Sequence, residues 1–443
     1  MDKIVIIGNG ISGVTAARHI RKNSDNEILI ISAETEHFFS RTALMYVYMG
    51  HMRFQDIKPY EDWFWEKNRI DLKFDRVEDI KTDVKELVMK SGSSITYDKL
   101  ILAVGSKPNK FGWPGQDLLG VQGLYSFQDL ESIEENSKNA KRAVIVGGGL
   151  IGVELSEMML YRGIAVTFLV RESKFWGNVL PEQEGQLISK HIEKHNVDLR
   201  FNTELDEIIA DENGRAKAVK TKDGEIIDCQ IVGLTAGVSP NVAFLKNTNI
   251  EIERGIKINK FLETNIEDVY AIGDCAQFDQ GVNGRRNIEQ VWYTGRIMGE
   301  TVAQTVTGNK LAYNPGPWFN SAKFFDIEYQ TYGWVFANMQ EGEADFYWEH
   351  PKGEICIHVV WDKDTGLFKG LNVFGIRMRH DLFDKWLRDG AGVDEVMANL
   401  STANFDPEFY SHYEKEIVDQ FNKETGRNVE LKAKKWWRNL IGS

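Results

Sequence analysis

Cysteine is scarce in this chain, and long apolar runs are absent. The three cysteines, Cys229, Cys275 and Cys356, lie far apart and form neither a CxxC pair nor a metal-ligand set. Sparse, odd-numbered cysteine is typical of a reducing compartment. No stretch approaches the roughly 18 apolar residues that a bilayer span requires. The short apolar run at the start ends in a glycine turn and has no signal-peptide cleavage site. We therefore expect a cytoplasmic protein.

An excess of positive charge is also missing. The 443 residues include 53 lysines and arginines against 66 aspartates and glutamates, so the formal net charge is −13. Because a nucleic-acid-binding protein presents a basic patch, we expect no nucleic-acid partner. His191 and His195 have the i, i+4 spacing that ligates zinc on a helix, but no third ligand stands near them in the sequence. We interpret the pair as a solvated helix face and predict no metal site.

The sequence does contain a dinucleotide fingerprint at its start. An Ile/Val run over 3–8 predicts a strand buried on both faces, and it leads into the glycine turn GNGISG over 8–13. A predicted helix over 14–21, a second strand over 27–31 and Glu34 follow. In this setting the glycines permit a tight turn and close approach to a pyrophosphate. The helix N-terminus attracts that anion, and the acid reaches a ribose hydroxyl.

The same pattern recurs in the middle of the chain. A buried strand over 143–146 leads into the glycine turn GGGLIG over 147–152. A predicted helix from 153 to about 162 and a strand over 165–170 follow. Two fingerprints in this setting predict two dinucleotide-binding domains. Segments 97–108 and 231–241 each read as a strand that ends in a glycine turn before a proline, which suggests that one nucleotide domain is inserted into the other.

The residue pattern of the sequence changes from about Pro315 onward. Alternating segments rich in Phe, Tyr and Trp predict an antiparallel sheet over 324–332, 355–361 and 368–374. Helices are predicted near 381–389 and 408–422. The tail over 432–441 is basic and amphipathic, because four apolar residues share one helical face: Trp436, Trp437, Leu440 and Ile441.

The segment TNIEDVYAIGDCA over 264–276 carries a family resemblance. It resembles the second flavin motif of the glutathione-reductase-like superfamily, a strand ending in Gly-Asp whose aspartate contacts the ribityl chain of FAD. With both fingerprints in order, the resemblance covers residues 1 to about 310. The chain is most similar to the branch with rubredoxin reductases, ferredoxin reductases and the NAD(P)H-oxidising part of assimilatory nitrite reductase. The segments behind this placement are 37–41, 63–70, 97–108, 114–115 and 289–292.

The resemblance implies an α/β fold with two Rossmann-like dinucleotide-binding domains of the three-layer ββα type. The NAD(P)-binding domain, 113–239, would be inserted into the FAD-binding domain, 1–112 and 240–312. A C-terminal α+β interface domain, 313–443, would follow. Its segment WFNSAKF over 318–324 resembles the interface domain of the same group. In this superfamily such a domain often forms a homodimer interface.

The same resemblance implies the site residues. Those that would bind FAD are Gly8, Gly10, Ile11, Ser12, Gly13, Glu34, Arg41, Val77, Ala103, Gly105, Gly273, Asp274 and Trp292. Those that would bind NADH or NADPH are Gly147, Gly149, Leu150, Ile151, Gly152, Glu154, Arg171, Ala236 and Gly237. Glu154 would lie beside the nicotinamide and flavin and, with Arg41, is the implied catalytic residue. The alternative for Glu154 is an ordinary acid in the first turn of a helix.

Two departures from the superfamily pattern stand out. Many members carry a redox cysteine near the helix after the position of Arg41, whereas residues 40–52 contain none. Members also often place a lysine there to pair with the counterpart of Glu154, and this segment has no lysine. We therefore predict that electrons leave directly from the flavin, without a disulfide relay.

The sequence leaves the nucleotide and the acceptor open. Val170 stands where an NAD-selecting acid would be and Arg171 follows, which favours NADPH, whereas Gly152 and Glu172 keep NADH possible. The leading acceptor hypothesis is a redox protein such as rubredoxin or ferredoxin. One alternative is a peripheral membrane NADH:quinone reductase that is anchored by the basic tail. The other is a slow-turnover flavoprotein that resembles apoptosis-inducing factor.

Overall fold

The structure is a computed structural model that describes residues 1–405 and 411–432. These residues form two compact units. The first comprises 1–147, 155–167 and 204–315, and the second comprises 148–154, 168–203 and the described residues from 316 onward. The three-domain boundaries proposed from the sequence stay a prediction.

The strands in chain order are β1 (Lys3–Ile7), β2 (Glu27–Ser32), β3 (Ile70–Phe74), β4 (Val77–Lys81), β5 (Glu86–Met89), β6 (Ser94–Thr96), β7 (Lys99–Leu102), β8 (Ser106–Pro108), β9 (Val121–Gln122), β10 (Arg142–Val146), β11 (Ala165–Leu169), β12 (Asp198–Arg200), β13 (Leu205–Ala210), β14 (Ala216–Thr221), β15 (Ile226–Asp228), β16 (Ile231–Leu234), β17 (Val238–Pro240), β18 (Ile256–Ile258), β19 (Val269–Ala271), β20 (Ala276–Phe278), β21 (Phe319–Phe324), β22 (Ile327–Gly333), β23 (Glu343–Glu349), β24 (Cys356–Asp362) and β25 (Phe368–Phe374).

The α-helices are α1 (Ile11–Asn23), α2 (Leu44–Tyr48), α3 (Trp63–Lys67), α4 (Phe127–Ser137), α5 (Leu150–Tyr161), α6 (Glu182–Lys194), α7 (Trp292–Val306), α8 (His380–Asp389), α9 (Val393–Ala398), α10 (Leu400–Ala403) and α11 (Glu414–Thr425). Short 3₁₀ turns lie at Arg41–Ala43, Phe54–Ile57, Ala243–Leu245, Gly273–Cys275 and Val282–Gly284.

The first parallel sheet has the strand order β19-β7-β1-β2-β3. Its central strand β1 is apolar from Ile4 to Ile7, and all four residues are buried, as a strand covered on both faces requires. Helices α1 and α7 pack against each other so closely that a Cβ on Gly299 would lie 2.6 Å from the backbone oxygen of Ser12. Because the strands are parallel, β1, β7 and β19 end at the same edge of the sheet, where ligands of such sheets bind.

A three-stranded antiparallel sheet, β4-β5-β6, adds a further layer to this region. Val77, Leu87 and Met89 of that sheet are buried in the same hydrophobic core as β1. In the same unit, β10 pairs in parallel with β16 and β16 with β9, while β13, β14 and β15 form another antiparallel sheet. The combination of parallel and three-stranded antiparallel sheets therefore occurs twice, as the ββα prediction requires.

Strands β8 and β17 pair with each other antiparallel. Ser106 lies opposite Pro240, and Pro108 lies opposite Val238. These are the two glycine–proline segments that the sequence marks as return crossings. The chain thus leaves the region of the first parallel sheet and returns to it through two hydrogen-bonded strands, which is the arrangement that the predicted insertion would produce.

The C-terminal region forms a five-stranded antiparallel sheet with the order β21-β22-β25-β24-β23. Its core includes Trp361, Phe383 and Phe421. The predicted continuous strand over 324–332 is wrong at its start. Phe324 ends β21, and the chain turns through Phe325, whose φ is +55°, before β22 begins. Apolar residues continue across this tight turn, so the pattern did not reveal it.

The predicted fold class is confirmed: the chain is α/β with parallel sheets and a C-terminal antiparallel sheet. The predicted helices near 381–389 and 408–422 correspond to α8 and α11, although 406–410 lie outside the described residues. The amphipathic face that was predicted for the tail also lies outside them, because the description ends at 432. Among the described helices, none has both the length and the hydropathy to cross a bilayer.

Candidate active site

The first glycine turn joins β1 to α1. Gly8 has a φ of +113°, and a Cβ on it would lie 2.1 Å from the backbone oxygen of Ala103, just after β7. A Cβ on Gly13 would lie 2.0 Å from the backbone oxygen of Gly8. Both positions require glycine because the turn packs against itself and against Ala103. Gly10 has no atom within 4 Å of its Cβ position, so this side of the turn is open.

Helix α1 begins at Ile11, immediately after this turn. Its N-cap, Gly10, supplies no capping side chain, and the first turn contains no acidic residue. The N–H groups at the start of a helix need an acceptor, and a phosphate group suits them. The local sequence therefore leaves a place for an anion where the pyrophosphate was predicted.

Ser12 connects this turn to the second flavin motif. A Cβ on Gly273, whose φ is +73°, would lie 2.3 Å from the Oγ atom of Ser12. A Cβ on Gly295 of α7 would lie 2.5 Å from the same atom. Trp292 is the first residue of α7, and the first turn of this helix also contains no acidic residue. Two segments separated by more than two hundred residues in sequence thus meet at the start of α1.

Asp274 belongs to a partly buried polar network. The hydroxyl of Tyr125 lies 3.3 Å from its Oδ2 atom and accepts a hydrogen bond of 2.9 Å from the backbone N–H of Ser106. The Oγ atom of Ser106 accepts a 2.7 Å bond from Nε2 of Gln290. Burial raises the pKa of Asp274, although bonds from Ser106 and Tyr125 and the charge of Arg41 oppose the rise. Asp274 is therefore held as a partly buried acceptor beside Gly273.

Glu34 and Arg41 form an ion pair. The Nη1 and Nη2 atoms of Arg41 lie 2.8 and 2.6 Å from the two carboxylate oxygens of Glu34. Arg41 also donates to the backbone oxygen of Tyr125, and Phe127 donates its N–H to Glu34 Oε1 at 2.9 Å. Burial would lower the pKa of Arg41, but the bonds and charge of Glu34 outweigh it and raise that pKa. The predicted ribose ligand and the predicted phosphate ligand therefore hold each other in place.

Of two other predicted FAD residues, Gly105 lies beside Asp274 and Val77 does not. A Cβ on Gly105, whose φ is +65°, would lie 2.9 Å from the hydroxyl of Tyr125, so Gly105 borders the network of Asp274. Val77 lies instead in β4, as a core residue opposite Met89. The structure thus brings the glycine turn, Ala103, Gly105 and Asp274 together and places Val77 in a different sheet.

The second glycine turn repeats part of this geometry. Gly147 has a φ of +119°, and its Cβ would lie 2.7 Å from the backbone oxygen of Thr235 and 2.8 Å from the nitrogen of Ala236. The hydroxyl of Thr235 donates to the backbone oxygen of Val146 at 3.0 Å. Gly237, with a φ of +85°, follows directly. Gly147, Ala236 and Gly237 therefore lie together, in the same relationship that joins Gly8 to Ala103.

The remaining predicted nucleotide residues lie in the second unit. A Cβ on Gly148 would lie 2.8 Å from Cγ1 of the buried residue Val170, whereas Gly149 has open space at its Cβ position. Arg171 is 69% exposed, and its Nη2 atom lies 2.9 Å from Oε1 of Glu172. Along α5, Gly152 is buried, and three further predicted residues are partly buried: Leu150, Ile151 and Glu154.

The cysteines do not form a redox centre in the structure. Cys229, Cys275 and Cys356 are all buried and free. Burial raises the pKa of Cys275, the cysteine next to Asp274, to about 12. This thiol is therefore not ionised at neutral pH, and reactive cysteines need the thiolate form.

Sequence reasoning missed one central residue of the site. Tyr125 contacts Arg41, Ser106 and Asp274, but it lies in no motif and its spacing carries no signal. Ser106 and Gln290 lie within segments that carried the family resemblance, but neither was predicted to be a site residue. Their roles depend on contacts across 184 positions of sequence, which no local pattern encodes.

The profile of the pyridine nucleotide-disulphide oxidoreductase family matches residues 2–303. The chain belongs to this family. It is 31% identical over 279 residues to the nitrite reductase [NAD(P)H] of Bacillus subtilis, which covers 62% of this chain and 34% of that protein. It is also 31% identical over 295 residues to the rubredoxin-NAD(+) reductase of Acinetobacter baylyi, covering 64% and 73% of the two chains.

The C-terminal region is matched by solved structures. An NAD-dependent persulfide reductase from A. fulgidus superimposes with a TM-score of 0.83 over 98% of this chain and 86% of that one, at 21% identity. At this identity the likeness shows the fold alone. The chain spans about a third of the length of the Bacillus nitrite reductase.

Proposed function

We propose that this protein is an FAD-dependent NAD(P)H oxidoreductase that passes electrons to a redox protein. The contact of Ser12 with Gly273 is the observation that carries the proposal, because it joins the open glycine turn of α1 to the turn that presents Asp274. Family membership and the similarity to a rubredoxin-NAD(+) reductase support it. When bound, FAD accepts a hydride from the reduced nicotinamide and releases electrons to an acceptor.

The residues present fit FAD. The open side of Gly10 leaves room for a pyrophosphate, and the uncapped N–H groups of α1 would bind it. Asp274 is a partly buried acceptor of the kind that a ribityl hydroxyl needs. Glu34 would accept from the adenosine ribose, and Arg41, which it positions, would counter the phosphate charge. In the second site, the turn over 147–152 would bind the nucleotide pyrophosphate at the start of α5.

The state of the cysteines bears on the path that electrons take from the flavin to the acceptor. Because Cys275 is buried and its pKa is raised to about 12, the chain offers no thiolate beside the flavin motif. We therefore propose that electrons pass from the flavin to the acceptor without a covalent relay. Rubredoxin or ferredoxin is the proposed acceptor.

Anaerobic stopped-flow reduction tests the proposal. The purified protein should contain FAD. Mixing it with NADH or NADPH should bleach the flavin absorbance on the time scale of the stopped-flow measurement. Adding oxidised rubredoxin or ferredoxin should then restore the colour at a rate that depends on the redox protein's concentration. If neither nucleotide bleaches the flavin, the reductase proposal is wrong and a binding or signalling role takes its place.

Two finer proposals concern partners. A homodimer through the C-terminal sheet is tested by the molar mass of the FAD-loaded protein in light scattering.

Membrane contact through the basic tail is tested by deleting 430–443, which should release the protein from membrane fractions without loss of flavin. An unchanged distribution after the deletion would exclude the tail as an anchor and with it the quinone reductase alternative.

A further inference from the structure

Three potential metal ligands converge at one end of α6. His191 lies in the last turn of this helix, and His195 is its C-cap. Asp326 lies in the turn between β21 and β22, 135 positions from His191. One ligand atom from each of the three side chains lies within 4.8 Å of the other two. No third ligand stands near the histidine pair in the sequence, but the fold brings Asp326 beside it.

We propose that His191, His195 and Asp326 form a zinc-binding site. Two imidazoles and a carboxylate are a ligand set that zinc uses, with a water molecule at the fourth position. The i, i+4 histidine pair on one helix face is also a spacing that zinc sites use. The proposed site lies within the second unit, and none of its three residues is among the predicted flavin residues.

Two of the three separations between ligand atoms suit a tetrahedral ion after a small adjustment, and the third is within 4.8 Å. Ligand atoms at the usual zinc distances lie about 3.3 Å apart in a tetrahedron. The Nε2 atom of His195 lies 3.5 Å from Oδ1 of Asp326, which already matches this separation. The Nε2 atom of His191 lies 2.6 Å from the same oxygen and would have to move apart by less than 1 Å. The Asp326 side chain is 73% exposed and free to make that movement.

The ring of His195 is already oriented for this role. Its Nδ1 atom lies 2.9 Å from the backbone oxygen of His191, and therefore carries the hydrogen. That leaves the lone pair on Nε2, which faces Asp326. Zinc-ligating histidines usually donate their second N–H in this way. The ring of Phe325 stacks on that of His195 at 4.3 Å between centroids and 14° between planes, which further fixes its orientation.

Burial and charge favour an ion over a simple hydrogen bond. His191 is almost fully buried, whereas the His195 side chain is 32% exposed, so the site has a dry base and an open side through which an ion can enter. Asp326 supplies one negative charge. A hydrogen bond between His191 and Asp326 alone would not require His195 at all.

Zinc binding by the FAD-loaded full-length chain, without an affinity tag, tests the proposal. After chelation and dialysis, zinc is titrated in competition with a chromophoric chelator, and cobalt(II) is added separately to record its visible absorption. We expect a single tight zinc ion per chain, a tetrahedral cobalt spectrum and a zinc-dependent rise in the thermal unfolding midpoint.

The variants are chosen to separate ligation from folding. His195→Ala and Asp326→Asn, which change exposed or partly exposed positions, should each weaken zinc binding by more than about tenfold. Both should retain flavin and a normal melting midpoint without zinc, but lose the rise that zinc causes. His412→Ala is the matched control, because His412 is 60% exposed and lies 3.4 Å from a single carboxylate, Glu414. It should bind zinc like the wild type.

Two outcomes would overturn the proposal. One is a wild-type protein that binds zinc no more tightly than His195→Ala does. The other is an equal loss of zinc binding in His412→Ala, which would indicate nonspecific surface binding.

Discussion

The Nδ1 atom of His358 lies 2.9 Å from Oε1 of Glu184, and both side chains are buried. The other ring nitrogen, Nε2, lies 2.9 Å from Oδ2 of Asp345. A neutral imidazole carries only one N–H, so only the protonated ring donates to both carboxylates. Burial opposes this charge, but the bonds to Asp345 and Glu184 outweigh it and raise the pKa of His358 to about 9.

The raised pKa predicts a stability term that depends on pH. His358 titrates near 6.5 when unfolded, so the stabilisation is complete below that pH and is lost as the pH rises through about 9. The loss is on the order of 3 kcal/mol. His358→Gln should therefore flatten the fall in the thermal unfolding midpoint across this window, whereas His412→Gln should not. Identical profiles for His358→Gln and the wild type would contradict the assignment.

A second prediction uses the two glycines that the fold itself does not require. Gly10 and Gly149 each have open space at the Cβ position, so alanine fits the protein and meets only a bound pyrophosphate. The added methyl should cost about 1–3 kcal/mol of ligand binding, or about tenfold or more in affinity. Gly10→Ala should bind FAD more weakly and retain less of it than the wild type does. Gly149→Ala should keep FAD and raise the KM for NAD(P)H.

Each of these variants is the control for the other. FAD content is measured by absorbance after gel filtration, and KM by steady-state reduction of an artificial acceptor. If Gly149→Ala lost FAD, or Gly10→Ala retained it with full affinity, the assignment of the two turns would be wrong.

A third prediction concerns Tyr125. Tyr125→Phe removes the hydroxyl that contacts Asp274 and accepts from the N–H of Ser106, and should cost about 1–3 kcal/mol of stability. FAD should also dissociate faster, because Asp274 loses its orientation. Tyr97→Phe is the matched control, since the hydroxyl of Tyr97 is buried without a partner among the described residues.

Thermal unfolding and the rate of flavin release measure both variants. Tyr97→Phe should be neutral or slightly stabilising. Equal changes of stability in the two variants would show that the hydrogen bonds of the Tyr125 hydroxyl contribute nothing to stability.

A fourth prediction addresses nucleotide choice. Arg171 is exposed and paired with Glu172, so a 2′-phosphate would compete with that carboxylate for the guanidinium. A hydrogen bond to a charged group contributes about 1.5–3 kcal/mol. Arg171→Ala should therefore raise the KM for NADPH about tenfold or more and change that for NADH little. Lys190→Ala, an exposed change on α6, is the control. Equal effects on both nucleotides would place Arg171 outside the ribose site.

The parts of the fold that follow from local chemistry could be predicted from the sequence. Both glycine turns were predicted, because Gly8 and Gly147 have positive φ angles that few residues other than glycine adopt. The C-terminal sheet followed from alternating aromatic residues, but the turn at Phe325 did not, because a phenylalanine at φ +55° carries no turn signal.

The contacts that depend on distant elements could not be predicted. Tyr125 and Asp274 are 149 positions apart, and His358 and Glu184 are 174 apart. Asp326 stands 135 positions from His191. Each of these contacts depends on the register of the strands and the placement of the helices. A shift of one residue in either would break the contact. The resemblance to the family therefore predicted site residues that lie within motifs. It did not predict the residues that hold those side chains in place through hydrogen bonds.

The antiparallel pairing of β8 with β17 has a consequence for engineering the chain. The segment between Pro108 and Val238 starts and finishes at neighbouring positions, so its removal would leave two ends that a short hairpin turn can join. Closing so small a gap costs little chain entropy. A shortened chain joined in this way would keep β1, β7 and β19, which lie outside the segment. It would lose Tyr125, so Asp274 and Arg41 would each lose a contact that the segment supplies.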